Sequence, residues 1–155
     1  MLSESEMIKM KSKYSDTMEF LFREFHISYK KTDDEPKENT YMAMLPSKYV
    51  KQNMVMLELD DHNELSFYGT LPIDVRPEHQ TKLLRVINQL NCEVPSFTAY
   101  IDIDEDDGSR ELAFSRTHQL YGDASKALVN AIALIHYLEK YMDMYIERVA
   151  MVLKK

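Results

Sequence analysis

The sequence predicts an α+β domain: an antiparallel sheet flanked by helices, in the order α-β-β-β-α-β-β-α, ending on a long C-terminal helix. Three observations predict it. Apolar residues recur at steps of three and four in the first, middle and last parts of the chain. Between those segments, short stretches alternate apolar and polar with the period of a strand. The stretch from Ala124 to Leu153 contains neither proline nor glycine.

The first helix is read from Met7, Met10, Tyr14, Met18, Leu21 and Phe25, one apolar stripe, with Phe20 and Phe22 off it. Residues 31–39 hold one proline and no large apolar side chain, and read as a connector. Tyr41 to Leu45 and Met54 to Leu59 are apolar runs of strand length, and Leu65, Phe67, Gly69 and Leu71 alternate with Ser66, Tyr68 and Thr70. Asp60, Asp61, His62 and Asn63 suit a tight hairpin loop. Arg76-Pro77-Glu78 opens a second helix, with proline at its first position and an acid at the positive end of the dipole. Leu83, Leu84, Val86, Ile87 and Leu90 give that helix its buried face.

Phe97, Ala99, Ile101 and Ile103 against Thr98, Tyr100, Asp102 and Asp104 is the cleanest alternation, that of a sheet covered on one side. Glu105 to Gly108 turns the chain, and Leu112 and Phe114 return pointing inward. Asp123 is placed to cap the last helix. At 1.5 Å per residue that helix runs about 45 Å, against a diameter of roughly 40 Å for a compact chain of this size. One seam reads Leu128, Ile132, Ile135, Leu138, Met142, Tyr145, Val149 and Val152. A second apolar set, Val129, Ala133, Tyr137, Tyr141, Met144 and Met151, occupies other faces. A helix apolar on several sides needs several partners. Tyr137, Tyr141, Met144 and Met151 are therefore expected at the interface of a homodimer.

Composition narrows the function. The 155 residues predict a single domain, 1–155, and 45% hydrophobic with 29% charged residues fits a globular chain. No run reaches the roughly 18 apolar residues of a membrane span. Met1 to Lys13 alternates charge with single apolar residues, unlike a secretory signal. One cysteine, Cys92, leaves no intrachain disulfide framework, and a cytoplasmic location is expected. With 26 acidic against 19 basic residues the net charge is −7, and the basic residues are scattered rather than gathered to neutralise phosphates. No nucleic-acid or membrane partner is expected.

Chemical motifs are sparse. The string Asp102 to Gly108 superficially suggests a calcium loop, which needs glycine at position 6 and glutamate at position 12. Counted from Asp102, those positions are Asp107 and Ala113, so a hairpin turn with Gly108 at positive φ is the better reading. His26, His62, His79, His118 and His136 include no pair at metal-ligand helical spacing. His136 reads as a hydrogen-bonded core or interface residue. Cys92 lacks a nucleophile's context, there is no GxSxG, and three glycines in all leave no phosphate-cradling loop. No catalytic residue, cofactor or metal site is expected, and the chain is read as non-enzymatic.

The order of elements and several strings resemble the YbjN family of bacterial proteins, which shares its fold with the type III secretion chaperones. The strings are Leu71-Pro72, Val75-Arg76-Pro77-Glu78, Ile87-Asn88-Gln89-Leu90-Asn91, Phe97 to Ile103, the acidic turn, the strand through Phe114, and Tyr141-Met142-Asp143 in the long helix. The resemblance spans roughly residues 15–153. It implies the secretion-chaperone-like fold and a regulatory role, because the family has been described as sensory transduction regulators. Chaperones of that fold dimerise and bind partner segments wrapped around them. This chain departs from the family in its eleven methionines and ten tyrosines.

Flexible thioethers can line adaptable binding surfaces as well as fill cores. Met42, Met44, Met54 and Met56 fall on two neighbouring strands. Met54, Met56, Tyr68 and Tyr100 are expected to share the wet side of the sheet and to bind a protein or peptide segment. The functional expectation is thus a non-enzymatic, chaperone-like or regulatory module, acting as a cytoplasmic homodimer. The alternative is a small-molecule sensor or enzyme with a pocket beneath the long C-terminal helix.

Overall fold

The computed structural model describes residues 3–32, 39–51, 53–60, 64–120 and 123–154. These form α1 (Glu4–Glu24), β1 (Ser28–Lys31), β2 (Thr40–Leu45), β3 (Asn53–Leu59), β4 (Glu64–Asp74), α2 (Gln80–Glu93, preceded by a 3-10 turn, Pro77–His79), β5 (Thr98–Ile103), β6 (Arg110–Gln119) and α3 (Ala124–Leu153). The strands make one sheet, β1-β2-β3-β4-β6-β5, antiparallel at every pair. The α+β class and the unbroken last helix are as the sequence predicts. The strand β1 is an addition: Ser28–Lys31 pairs with Lys31↔Tyr41 and Ser28↔Met44 where the sequence pattern shows only a helix end and a connector. Four residues are too short for a periodic signal, and the pairing with β2 creates the strand.

Each end of α1 is built from local chemistry. Glu6 N–H donates to Ser3 Oγ at 3.4 Å and Ser3 N–H donates to Glu6 Oε2 at 2.8 Å, a reciprocal capping box. At the other end His26 adopts φ 54°, and Ile27 N–H donates to Phe22 O and His26 N–H to Arg23 O. That is a Schellman closure with histidine where glycine is usual. The buried face of α1 is Tyr14, Met18, Leu21 and Phe22. Phe22 thus takes the core place that the periodicity assigns to Phe25, which is exposed beyond the helix end. Phe22 packs against Tyr29 and Tyr41, at 4.9 and 5.7 Å between ring centroids. Met7 and Met10 lie outside the described side chains.

The sheet's inner face carries Tyr41, Ala43, Leu45, Val55, Leu57, Leu59, Leu65, Phe67, Leu71, Ala99, Leu112 and Phe114, all buried. Helices α1 and α3 lie on this side, α2 packs on β5, and α3 contacts both other helices. Gly69 sits directly opposite Phe114. A Cβ there would stand 2.5 Å from Phe114 Cζ, so the ring crosses the β4 backbone because glycine leaves the space. Phe114 in turn packs edge-on against Phe97 and Tyr141. On α2, Leu83, Ile87 and Leu90 are buried, whereas Leu84 is exposed and Val86 only partly covered.

Turn chemistry follows residue type. Gly108 has φ 71°, and Asp104 Oδ1 accepts from the amides of Asp106 and Asp107, so the acidic string is a β5–β6 turn between paired strands. Asp123 Oδ1 accepts from Lys126 N–H at 3.4 Å at the start of α3. Asp60 Oδ1 accepts from Glu64 N–H at 2.9 Å at the β3–β4 connection, whose residues 61–63, His62 included, lie outside the described ones.

Candidate functional site

Alternation along the strands puts the intervening residues on the face opposite the helices. Met42, Met44, Met56, Tyr68, Thr70, Tyr100 and Ser115 are partly exposed there, and Met54 is 57% exposed. Among the described residues no helix covers this face. Strand register then brings distant positions together. Met54 pairs with Met44, Met56 with Met42 on one side and Tyr68 on the other, Tyr68 with Ser115, and Tyr100 with Ala113. One row across five strands therefore reads Lys30, Met42, Met56, Tyr68, Ser115 and, on the sixth, Thr98.

The tyrosines are held in place. Tyr68 Oη donates to Asp102 Oδ2 at 3.1 Å, a bond from β4 past β6 to β5. Partial burial, that bond and the neighbouring acid push the Tyr68 phenol up to about 12. Burial likewise raises Tyr100. Both stay neutral at ordinary pH, amphipathic rings with one polar tip. Glu58, Asp102 and Glu111 share this face, against Lys30 at the β1 edge. The surface has an apolar and aromatic centre with an acidic border. The sequence pattern places Met42, Met44, Met54, Met56, Tyr68 and Tyr100 on strands; the sheet order sets all six on one face with Asp102.

The second surface is on α3. Tyr137 is 42% exposed, its ring stacked on Phe97 at 6.4 Å, and Met151 is 65% exposed. Met144 is partly buried, lining a cleft. Tyr141 is not on that surface. It is 1% exposed, packed against Phe97, Phe114 and Tyr145. The reason is rotation: each step of four residues advances about 40° past a full turn. The row Val129, Ala133, Tyr137 thus begins in solvent and winds into the core at Tyr141, whereas Tyr137, Met144 and Met151, seven apart, keep nearly one face.

Beneath α3, the hydroxyls of Tyr141 and Tyr145 are buried without a hydrogen-bond partner among the described residues. Burial holds both protons on far above the usual phenol range. Beside α3, the β2–β3 connection is tied down as a strap. Ser47 Oγ donates to Asp143 Oδ1 at 2.6 Å, Lys48 N–H donates to Asp143 Oδ2 at 3.2 Å, and Tyr49 Oη donates to Glu147. An open cleft of about 560 Å³ runs between this strap and the helix, lined by Lys48, Glu139, Lys140 and Met144 among others. A neighbouring hollow of about 450 Å³ holds Phe25, His26 and His136. His136 is half-buried, its Nδ1 3.6 Å from Glu139 Oε1 and its ring edge-on to Phe25. Cys92 is exposed and unpaired on α2, and among the described residues no cluster of His, Cys, Asp or Glu could hold a metal ion. No described helix is long and apolar enough to cross a membrane.

No protein-family model and no curated protein matches the chain. Among solved structures it is similar to YbjN from E. coli, described as a candidate transcription regulator, with a TM-score of 0.59 and 16% sequence identity. The match covers 84% of this chain and 87% of that one. At that identity the likeness is one of fold, and the conclusion it carries is that this chain has a YbjN-like α+β fold with a six-stranded antiparallel sheet and a long C-terminal helix.

Proposed function

We propose that this chain is a non-enzymatic protein-binding module, regulatory or chaperone-like, which takes a partner's segment on the open face of the sheet. The observation that supports it is the methionine–tyrosine centre of Met42, Met44, Met54, Met56, Tyr68 and Tyr100, left uncovered by the described helices. Thioethers adapt to different apolar side chains, and tyrosines add contact area at low entropic cost. The acidic border and the net charge of −7 favour a segment whose apolar residues are flanked by Lys or Arg. The structural neighbour's description as a regulator accords with this reading. The action is cytoplasmic, and the unit is a homodimer joined through Tyr137, Met144 and Met151 on α3.

The test compares the wild-type chain with a Met54→Asp, Tyr100→Asp double variant as bait in native extract. A protein retained by the first and lost by the second is then titrated. At least a tenfold loss of affinity with an unchanged melting temperature is expected. Binding that ignores the double variant rejects the open face as the site. Light scattering at micromolar concentration checks the homodimer, which a mass of one chain overturns.

A second reading, a small-molecule sensor or enzyme, is favoured by the unpartnered hydroxyls of Tyr141 and Tyr145 beneath α3. A ligand seated there would donate to or accept from both. Tyr141→Phe would then abolish any ligand-induced rise in melting temperature.

A further inference from the structure

The described methionines include two contrasting sets. Met18 and Met142 are fully buried and fill the core. Met42, Met44, Met54 and Met56 are not buried, yet they form two directly opposed pairs, Met42↔Met56 and Met44↔Met54, on one face of β2 and β3. The type of pairing can be read from the ladder. Leu59 N–H donates to Asn39 O at 3.0 Å, so the pair 39↔59 is hydrogen-bonded. Counting by alternation, 41↔57 and 43↔55 are hydrogen-bonded too, which leaves both methionine pairs at non-hydrogen-bonded positions. At such positions opposed side chains approach most closely.

The four Cβ atoms therefore stand at the corners of a rectangle of roughly 5 Å across the strands and about 7 Å along them. Its centre is about 4 Å from each corner. Each Sδ lies two bonds beyond Cβ on an unbranched, freely rotating chain, so the sulfurs can converge over that centre. Convergent neutral thioethers are soft ligands. They match a soft monovalent d10 cation and offer nothing to Mg²⁺ or Ca²⁺, which require oxygen donors.

We propose that Met42, Met44, Met54 and Met56 form a surface binding site for Cu(I). The site needs no deprotonation, because thioethers carry no proton. Tyr68, opposite Met56, sets an aromatic ring beside the quartet, and the net charge of −7 raises the local concentration of cations. Lys30, opposite Met42, is exposed at the sheet edge, and its long stem carries its ammonium into water. This site does not depend on the protein-binding reading. Its test needs no partner protein.

The test uses the full chain with Cys92→Ser, because that exposed thiol would itself capture soft metals. Cu(I) is titrated without oxygen against a chromogenic chelator, and Ag(I) serves as a redox-silent probe for NMR of methyl-labelled methionines. One equivalent is expected to bind, with the ε-methyl signals of Met42, Met44, Met54 and Met56 moving together while those of Met18, Met142 and Met151 stay. Met42→Leu with Met56→Leu is expected to weaken binding at least tenfold, and Met151→Leu to leave it unchanged. Leucine matches methionine in volume, and the unshifted core methyls report an intact fold. Absence of binding at micromolar metal, binding that survives the double variant, or equal shifts at Met151 would each overturn the proposal.

Discussion

The side-chain amide of Asn91 on α2 grips both backbone groups of Ala99 on β5: Nδ2 donates to Ala99 O at 3.0 Å, and Ala99 N–H donates to Oδ1 at 2.8 Å. Ala99 lies on the outer edge of β5, the last strand of the sheet. The amide copies the pair of hydrogen bonds that a further strand would make there, so the helix closes the sheet edge at that point.

Asn91→Ala removes that closure and leaves both backbone groups of the buried Ala99 unpaired. A loss of about 1–3 kcal/mol is expected, with faster aggregation as the edge opens. Chemical denaturation and turbidity at equal protein concentration check both. Unchanged stability would mean that water replaces the amide fully.

Gly69→Ala forces a methyl group against the Phe114 ring, and that ring has little room to swing because Phe97 and Tyr141 pack around it. Overpacking of this kind costs about 1–3 kcal/mol. A lower denaturation midpoint with an unchanged m-value is the expected result.

His26→Gly acts in the opposite direction. A non-glycine residue at φ 54° bears a left-handed penalty of roughly 1–2 kcal/mol, and glycine's extra freedom in the unfolded chain returns roughly 0.4–1 kcal/mol of it. A net gain of about 0.5–1 kcal/mol is expected, measured as a raised melting temperature. A fall would show that the His26 side chain contributes more than its backbone strain costs.

His118, on β6, is held below the ordinary imidazole value of 6.5 by partial burial and then by Arg116. Folded, it binds its proton more weakly than the unfolded chain does. Its contribution is fully present above 6.5 and declines as pH falls through the window from there to the lowered folded value. Denaturation midpoints of wild type and His118→Gln between pH 7.5 and 5 should therefore diverge, with the wild type losing more. Parallel curves would remove His118 from the acid response.

Much of this architecture is legible along the chain because it is local. Phe97 to Ile103 alternates cleanly, Gly108 follows a run of acids, and Asp123 precedes the long helix, so strand, turn and cap each follow from neighbours in sequence. Strand β1 was not legible, since Ser28–Lys31 is extended only because β2 lies beside it. Phe22 falls off the stripe by periodicity because a six-residue apolar series admits two nearly equal faces, and contact with Tyr29 and Tyr41 selects one. The candidate face was half legible. Met54, Met56, Tyr68 and Tyr100 fall on strands by pattern, but no pattern shows that Tyr68 meets Asp102, 34 positions away.

By itself the sequence determined the α+β class, the long uninterrupted helix and the acidic balance, because periodicity, helix breakers and charge are properties of consecutive residues. Only the tertiary structure decided that β6 enters between β4 and β5, that four methionines oppose one another in two pairs, and that Tyr141 turns inward while Tyr137 remains in solvent. Sheet order and register are chosen by burial between distant segments, and the buried side of a helix depends on rotation accumulated against its neighbours, neither of which any short window of sequence contains.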